Sequence, residues 1–260
     1  MIKKDELKAI TSHDIQKVLN VNLVYKYSSY DVGLNDILLK RKLKFSSPEE
    51  YNDPFDAHEY LMRLNSSDIS ELITMYASNL SRVKKREVLR KFEKGEFVKV
   101  FKEEKKNHKV TCFSSESDNV IMWSHYGDKH KGICIGFDFT AINADKFILS
   151  PVTYIDEIPE FHGEVNTYEL IRYWYSLKSI SWRHENEIRA ITNSKNYSSN
   201  VEYIQFDSAR VKEIIFGCKV SDFQINQLIN QLKNNGYNTN SIIFRKLVID
   251  RHSFNLIEKK

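Results

Sequence analysis

Short apolar runs that alternate with polar positions, each broken by turn-forming residues, mark this chain as strand-rich. The alternation predicts strands near 23–27, 43–47, 109–113, 132–139, 187–192, 201–206, 211–216 and 242–249. Helical spacing appears between them. Leu34, Ile37 and Leu38 form one apolar stripe after the turn-forming Ser28-Ser29-Tyr30-Asp31, and 119–126 reads as a short helix capped by Ser117 or Asp118. Asn166 with Glu169 resembles a capping box opening a helix that carries Leu170, Ile171 and Trp174. The clearest helix opens at Ser221-Asp222-Phe223-Gln224, continues with Ile225, Leu228, Ile229 and Leu232 on one face, and has Gly236 at the position after its end. Strands and helices do not alternate strictly. The expected fold class is therefore α+β, a mixed, mainly antiparallel sheet core, rather than a doubly wound parallel sheet.

Residues 66–107 are charged, helical in pattern and interrupted near Gly95, which predicts an insertion on the outside of a single domain spanning 1–260. The net charge is only +4, but the stretch from Arg82 to Lys106 holds 11 Lys and Arg against 5 Asp and Glu, leaving the remainder slightly acidic. Such a stretch suits a nucleic-acid backbone or an acidic partner, and equally an ordinary solvated helix face. Aromatic residues, 12% of the chain, can fill a sizeable core, and 8 Gly with 4 Pro argue against low-complexity or collagen-like chains. Apolar runs stop well short of the roughly 20 residues a membrane helix needs, and the start of the chain lacks the apolar segment of a secretory signal. These features predict a cytoplasmic protein without membrane contact. Cys112, Cys134 and Cys218 are odd in number and widely spaced, which reads as reduced, buried thiols; without Cys-x-x-Cys, no metal site is expected.

Three runs carry candidate chemistry. Asn52-Asp53-Pro54-Phe55-Asp56 sets two carboxylates in a loop after a strand, where sites are often built, although the same residues are plain turn formers. Trp123-Ser124-His125-Tyr126-Gly127 offers His125 as an acid or base near neutral pH, or as a packing residue; Ser124 lacks the Gly-x-Ser-x-Gly elbow of a hydrolase. In Trp182-Arg183-His184-Glu185-Asn186-Glu187-Ile188-Arg189, a strand would put Glu185, Glu187 and Arg189 on one face. That face is either a site or a solvent-facing Glu–Arg pair. A zinc-protease helix is excluded, since Ile188 stands where the second His would be.

The same runs, with Tyr25-Lys26-Tyr27, Phe45-Ser46-Ser47-Pro48, Cys112-Phe113-Ser114, Lys131 to Asp138, Lys178 and Ile214-Ile215-Phe216-Gly217, resemble the bacterial domain-of-unknown-function family 2971 over nearly the whole length. More distantly, the opening strand, Ser-rich turn, helix and second strand resemble the NAD-binding half of ADP-ribosyltransferases. That resemblance implies NAD as co-substrate and a role as a bacterial toxin or anti-phage effector. It also implies a protein or nucleic-acid acceptor and an inhibitory partner protein. It assigns catalysis to Glu187, with Glu185 orienting the acceptor and His125 nearby. It places NAD against Lys26, Tyr27, Ser46 or Ser47, Asn52, Asp53, Phe55, Tyr126 and Arg189, with Tyr27, Tyr51 or Phe55 stacked on nicotinamide. Lys26 is a point charge where those enzymes use an Arg or His. Two other classes remain open: a nuclease gathering Mg²⁺ on Asp53, Asp56, Glu185 and Glu187, and a non-catalytic ligand- or protein-binding domain. Asn52 and His125 are expected across one cleft, and Glu187→Gln is expected to keep the fold while slowing a carboxylate-dependent reaction about a hundredfold or more.

Overall fold

The computed structural model describes residues 23–61, 63–64, 81–93, 105–139, 146–158, 160–161, 173–194 and 198–259. In chain order these form β1 (Val24–Ser28), the wide π-type helix α1 (Val32–Leu38), β2 (Lys42–Ser46), β3 (Arg63–Leu64), α2 (Arg82–Glu93), β4 (His108–Ser114), α3 (Val120–His125) and β5 (Ile133–Phe137). There follow β6 (Ile148–Pro151), β7 (Thr153–Ile155), β8 (Glu160–Phe161), β9 (Leu177–Ser179), β10 (Glu187–Asn193), β11 (Val201–Gln205), β12 (Val211–Phe216), α4 (Asp222–Asn234), β13 (Ile243–Ile249) and β14 (Leu256–Glu258). The main sheet has ten strands in the order β11-β2-β4-β1-β5-β12-β13-β14, with β10 and β6 branching from β4. Its pairs are antiparallel except β12 with β13. The α+β class with a mixed, mainly antiparallel sheet is the observed one.

The central strands β5 and β12 are buried on both faces rather than alternately, and on one of those faces their apolar residues meet helices. Leu34, Ile37 and Leu38 of α1 and Leu228 and Leu232 of α4 join Phe45, Ile135, Phe137, Ile214 and Phe216 in the largest core cluster. The capping box at the start of α4 forms as expected, Ser221 and Gln224 each accepting from the other's backbone N–H, and Gly236 takes the left-handed φ of +77° beyond the helix end. The cap of α3 differs from expectation. Asn119, not Ser117 or Asp118, accepts from the N–H groups of Ile121 and Met122, because its backbone is extended where the helix starts. Short strands such as β6, β7 and β9 lack a readable period at three or four residues. Of the insertion expected at 66–107, residues 81–93, which include α2, and 105–107 are described, and Arg82, Lys84, Arg86, Arg90 and Lys91 on α2 are solvent-exposed. The rest, like the capping box at Asn166 and Glu169 with Leu170 and Ile171, lies outside the described residues. All three cysteines are free thiols, but full burial holds for Cys134, while Cys112 and Cys218 are half-buried.

One irregularity positions the site. β1 pairs along its whole length with β5, Val24↔Phe137 through Ser28↔Ile133, but joins β4 through the single register pair Tyr25↔Ser114. β4 instead pairs along its length with β10, Glu187↔Ser114 through Asn193↔His108. The sheet therefore forks between β1 and β4. Lys26 spans the gap, its amine donating to Thr111 Oγ1 at 3.0 Å and to the Cys112 carbonyl at 2.8 Å.

Candidate functional site

A cavity of about 180 Å³ opens at this fork. Tyr25, Lys26 and Tyr27 of β1 form one wall and Cys112, Phe113 and Ser114 of β4 another. Tyr51, Asn52 and Asp56 come from the loop after β2, Met122 and Tyr126 from α3 and its end, and Lys178, Glu185 and Glu187 close the remaining side. The lining draws on each of the apolar clusters: Phe113 belongs to the largest, Tyr27 and Met122 to a second around Trp123, and Tyr51 and Cys112 pack on a third around Trp174. Packing from several directions makes the walls rigid.

Below these walls lies a buried ionic network. Arg189 is fully buried and every N–H of its guanidinium is used: Nε donates to Glu187 Oε1, one terminal nitrogen to Asp56 Oδ1 and the Tyr175 carbonyl, the other to Asp56 Oδ2 and Glu187 Oε2. Lys178 sits 2.5 Å from Glu185 Oε2, 3.0 Å from Glu187 Oε2 and 3.7 Å from Asp56 Oδ2. Burial alone would raise the Glu187 carboxyl, but Arg189 and then Lys178 hold it well below the usual carboxylate range. Burial likewise works against the Lys178 ammonium, and Glu187 with Glu185 more than reverse this and raise it. Buried ions persist when each is paired and hydrogen-bonded in this way.

Glu185 reaches the network by a route that strand periodicity does not describe. It ends the 3-10 turn Ile180–Glu185, and Asn186 then takes a left-handed φ of 44°, which Asn tolerates better than most residues. β10 begins only at Glu187. Glu187 and Arg189 thus share a strand face as expected, whereas Glu185 joins them through the left-handed turn. Ser114 Oγ donates to the Glu185 carbonyl at 2.7 Å, and Asn119 Nδ2 to the His184 carbonyl at 2.8 Å, which fixes the turn against β4 and α3. Among the described residues each oxygen of Glu185 has one partner: Oε1 accepts from the Tyr126 hydroxyl at 2.6 Å, Oε2 from Lys178. Glu187, in contrast, spends both oxygens on cations and its backbone N–H on the Tyr154 hydroxyl.

The phenols around the cavity are protonated at neutral pH. Burial, with Glu213 beside it, pushes Tyr25 up to about 12, and burial together with the Glu185 hydrogen bond raises Tyr126. Burial also raises the Cys112 thiol, so it is not a thiolate nucleophile, and lowers the Lys26 ammonium.

Of the residues singled out in the sequence, Lys26, Tyr27, Asn52, Tyr126, Glu185 and Glu187 line the cavity, and Arg189 lies directly behind it. The loop at Asn52 and the end of α3 do meet at the cavity, but through Tyr126 rather than His125. His125 is exposed at the end of α3, its ring 6.3 Å from that of His184 and outside the lining. Asp53 is used locally, Oδ1 accepting from the Phe55 N–H, and Phe55 is 66% exposed and away from the cavity. Ser46 pairs in the sheet opposite Val110 and Val201, and Ser47 caps the turn at Pro48. Lys178, central to the network, received no role from the sequence. Its signal was a lone charge at the end of Trp174-Tyr175-Ser176-Leu177, a run of buried residues.

A family model described as a protein of unknown function, DUF2971, matches residues 122–190, about a quarter of the chain. The near-full-length resemblance drawn from the sequence is corrected accordingly. The match runs from Met122 on the cavity wall through Lys178, Glu185 and Glu187 to the residue after Arg189, and leaves β1, the Tyr51 loop and β4 outside. No curated protein and no solved structure matches the chain, so the distant resemblance to ADP-ribosyltransferases is without support. Among the described residues, no helix is long and apolar enough to cross a membrane.

Proposed function

We propose that the cavity is an active site acting on a carbon–nitrogen glycosidic bond with an aromatic leaving group, NAD being the co-substrate to test first. One observation carries this reading: Glu185 presents a carboxylate with one partner on each oxygen to a cavity walled by tyrosines. Cleavage of the nicotinamide–ribose bond sends the bonding pair to the pyridinium nitrogen and leaves positive charge on the ribose. A fixed carboxylate beside that carbon stabilises the charge as it develops. Water or an acceptor nucleophile then captures the carbon and gives up its proton, for which Glu185 is the nearby base. Tyr126 and Lys178 hold the carboxylate in place, and Glu187 anchors Lys178 and Arg189. Tyr25, Tyr27 and Tyr51 supply faces on which a pyridine ring can stack. At about 180 Å³ the cavity is smaller than the roughly 300 Å³ at which sites for whole drug-sized ligands begin. It suits one ring and part of its sugar, with the rest of the dinucleotide outside.

The geometry favours this over a magnesium-dependent nuclease, because Lys178 and Arg189 already occupy the space between Asp56, Glu185 and Glu187, and Asp53 turns into its own loop. The test is nicotinamide release from NAD, followed by chromatography, with the wild type and Glu185→Gln. We expect release by the wild type and a loss of about a hundredfold or more in the variant, the size expected for removing a principal electrostatic stabiliser. Equal release by a folded Glu185→Gln protein would remove Glu185 from the chemistry. No release by the wild type would reject NAD and turn attention to a binding role.

A further inference from the structure

Tyr51 lines the cavity, and its hydroxyl is closed off from solvent without a hydrogen-bond partner among the described residues. A buried hydroxyl left in this way is costly, and the cost is relieved when a ligand supplies the missing partner. The neighbouring charges decide what kind of ligand can do so. The Tyr51 ring faces the Arg189 guanidinium, whose carbon lies 5.4 Å from the ring centre, but all five N–H groups of Arg189 are committed to Asp56, Glu187 and the Tyr175 carbonyl. Lys178 is shared among Asp56, Glu185 and Glu187. Lys26 gives two of its three N–H groups to Thr111 and the Cys112 carbonyl across the fork, and burial works against its charged form. An anionic ligand entering here meets carboxylates whose cations are already engaged. A neutral group that can both donate and accept meets a phenol that can do the same.

We infer that Tyr51 is the specificity-determining residue of this cavity, its hydroxyl selecting an aromatic ring bearing a neutral carboxamide over the same ring bearing a carboxylate. The inference deepens the reading of the cavity as a nicotinamide-releasing site and rests on it for the identity of the ring. Discrimination arises on both sides: the amide completes the hydrogen bonding of Tyr51, and the carboxylate is opposed by Glu185, Glu187 and Asp56.

The experiment uses benzamide and benzoate, a matched neutral and anionic pair with no glycosidic bond, titrated calorimetrically into the whole protein. Benzamide is expected to bind at least about tenfold more tightly than benzoate, and Tyr51→Phe to weaken benzamide about fivefold, the ordinary worth of one hydrogen bond, without lowering the melting temperature. Benzoate binding as well as benzamide, no binding of benzamide, or unchanged benzamide binding in a folded Tyr51→Phe protein would each overturn the inference. If the variant fails to fold, equal binding of the two ligands by the wild type still overturns the inference. Amide preference without NAD turnover would reject the proposed reaction and keep the inference; NAD turnover without amide preference would do the reverse.

Discussion

Two carboxylates that look equivalent in the sequence have different surroundings, and so their removal should have different consequences. Glu187 is buried against Arg189 and Lys178, with no oxygen left for a ligand to claim without displacing a cation. Glu187→Gln leaves both cations short of a partner in a buried setting, which typically costs about 3–5 kcal/mol. The expectation that this variant keeps its stability is therefore revised: chemical denaturation should show a clear loss. Glu185 would give up one bond to Tyr126 and one to Lys178, and Lys178 would keep Glu187 and Asp56. Glu185→Gln should thus cost less stability than Glu187→Gln, and the opposite ranking in parallel denaturation curves would contradict the roles assigned to them.

Among the secondary-structure elements, α3 is short enough that one residue decides it. Asn119 accepts from two backbone N–H groups of the helix while its amide nitrogen holds the His184 carbonyl, so the same side chain caps α3 and anchors the turn that presents Glu185. Asn119→Ala should cost about 1–2 kcal/mol in thermal or chemical unfolding, the upper part of the range for a lost cap, whereas Asp118→Ala, at the exposed neighbouring position, should cost little. The sequence, which offered Ser117 or Asp118 as the cap, did not show this double role. The cap of α4 was legible because Ser221 and Gln224 signal within one turn, and the run Ile214-Ile215-Phe216 was legible because burial on both sides leaves a continuous apolar stretch. Glu185 was legible as a candidate but not as the end of a left-handed turn, since the conformation of Asn186 depends on β4 and α3 holding it. Lys178 escaped assignment, and Tyr51 was legible only as a stacking face, for the same reason: their polar roles are set by partners far along the chain, which local periodicity does not encode.

For the molecule as a whole, the ionic network sets the pH range of stability. The Glu187 carboxyl lies below its ordinary value in the folded protein, so its contribution is present above the unfolded carboxyl value of about 4.3 and is lost as pH falls below it. Lys178 is raised, so its contribution is present below the unfolded amine value of about 10.4 and is lost as pH rises above it. Melting temperature followed against pH should therefore fall steeply at the acid end and more weakly at strongly alkaline pH; a curve flat down to pH about 3 would show that the network does not support the fold. The fork between β1 and β4 has a further consequence, in time rather than in space. Its cavity needs partners 133 residues apart, Asp56 and Arg189, and contacts of such long range are slow to close. As the chain leaves the ribosome, β1, the Tyr51 loop and β4 appear long before the segment that carries Lys178, Glu185 and Arg189. Until then β4 has an unpaired edge and Asp56 stays hydrated, so the site is completed late, and ligand binding reports a chain that has finished folding through β10.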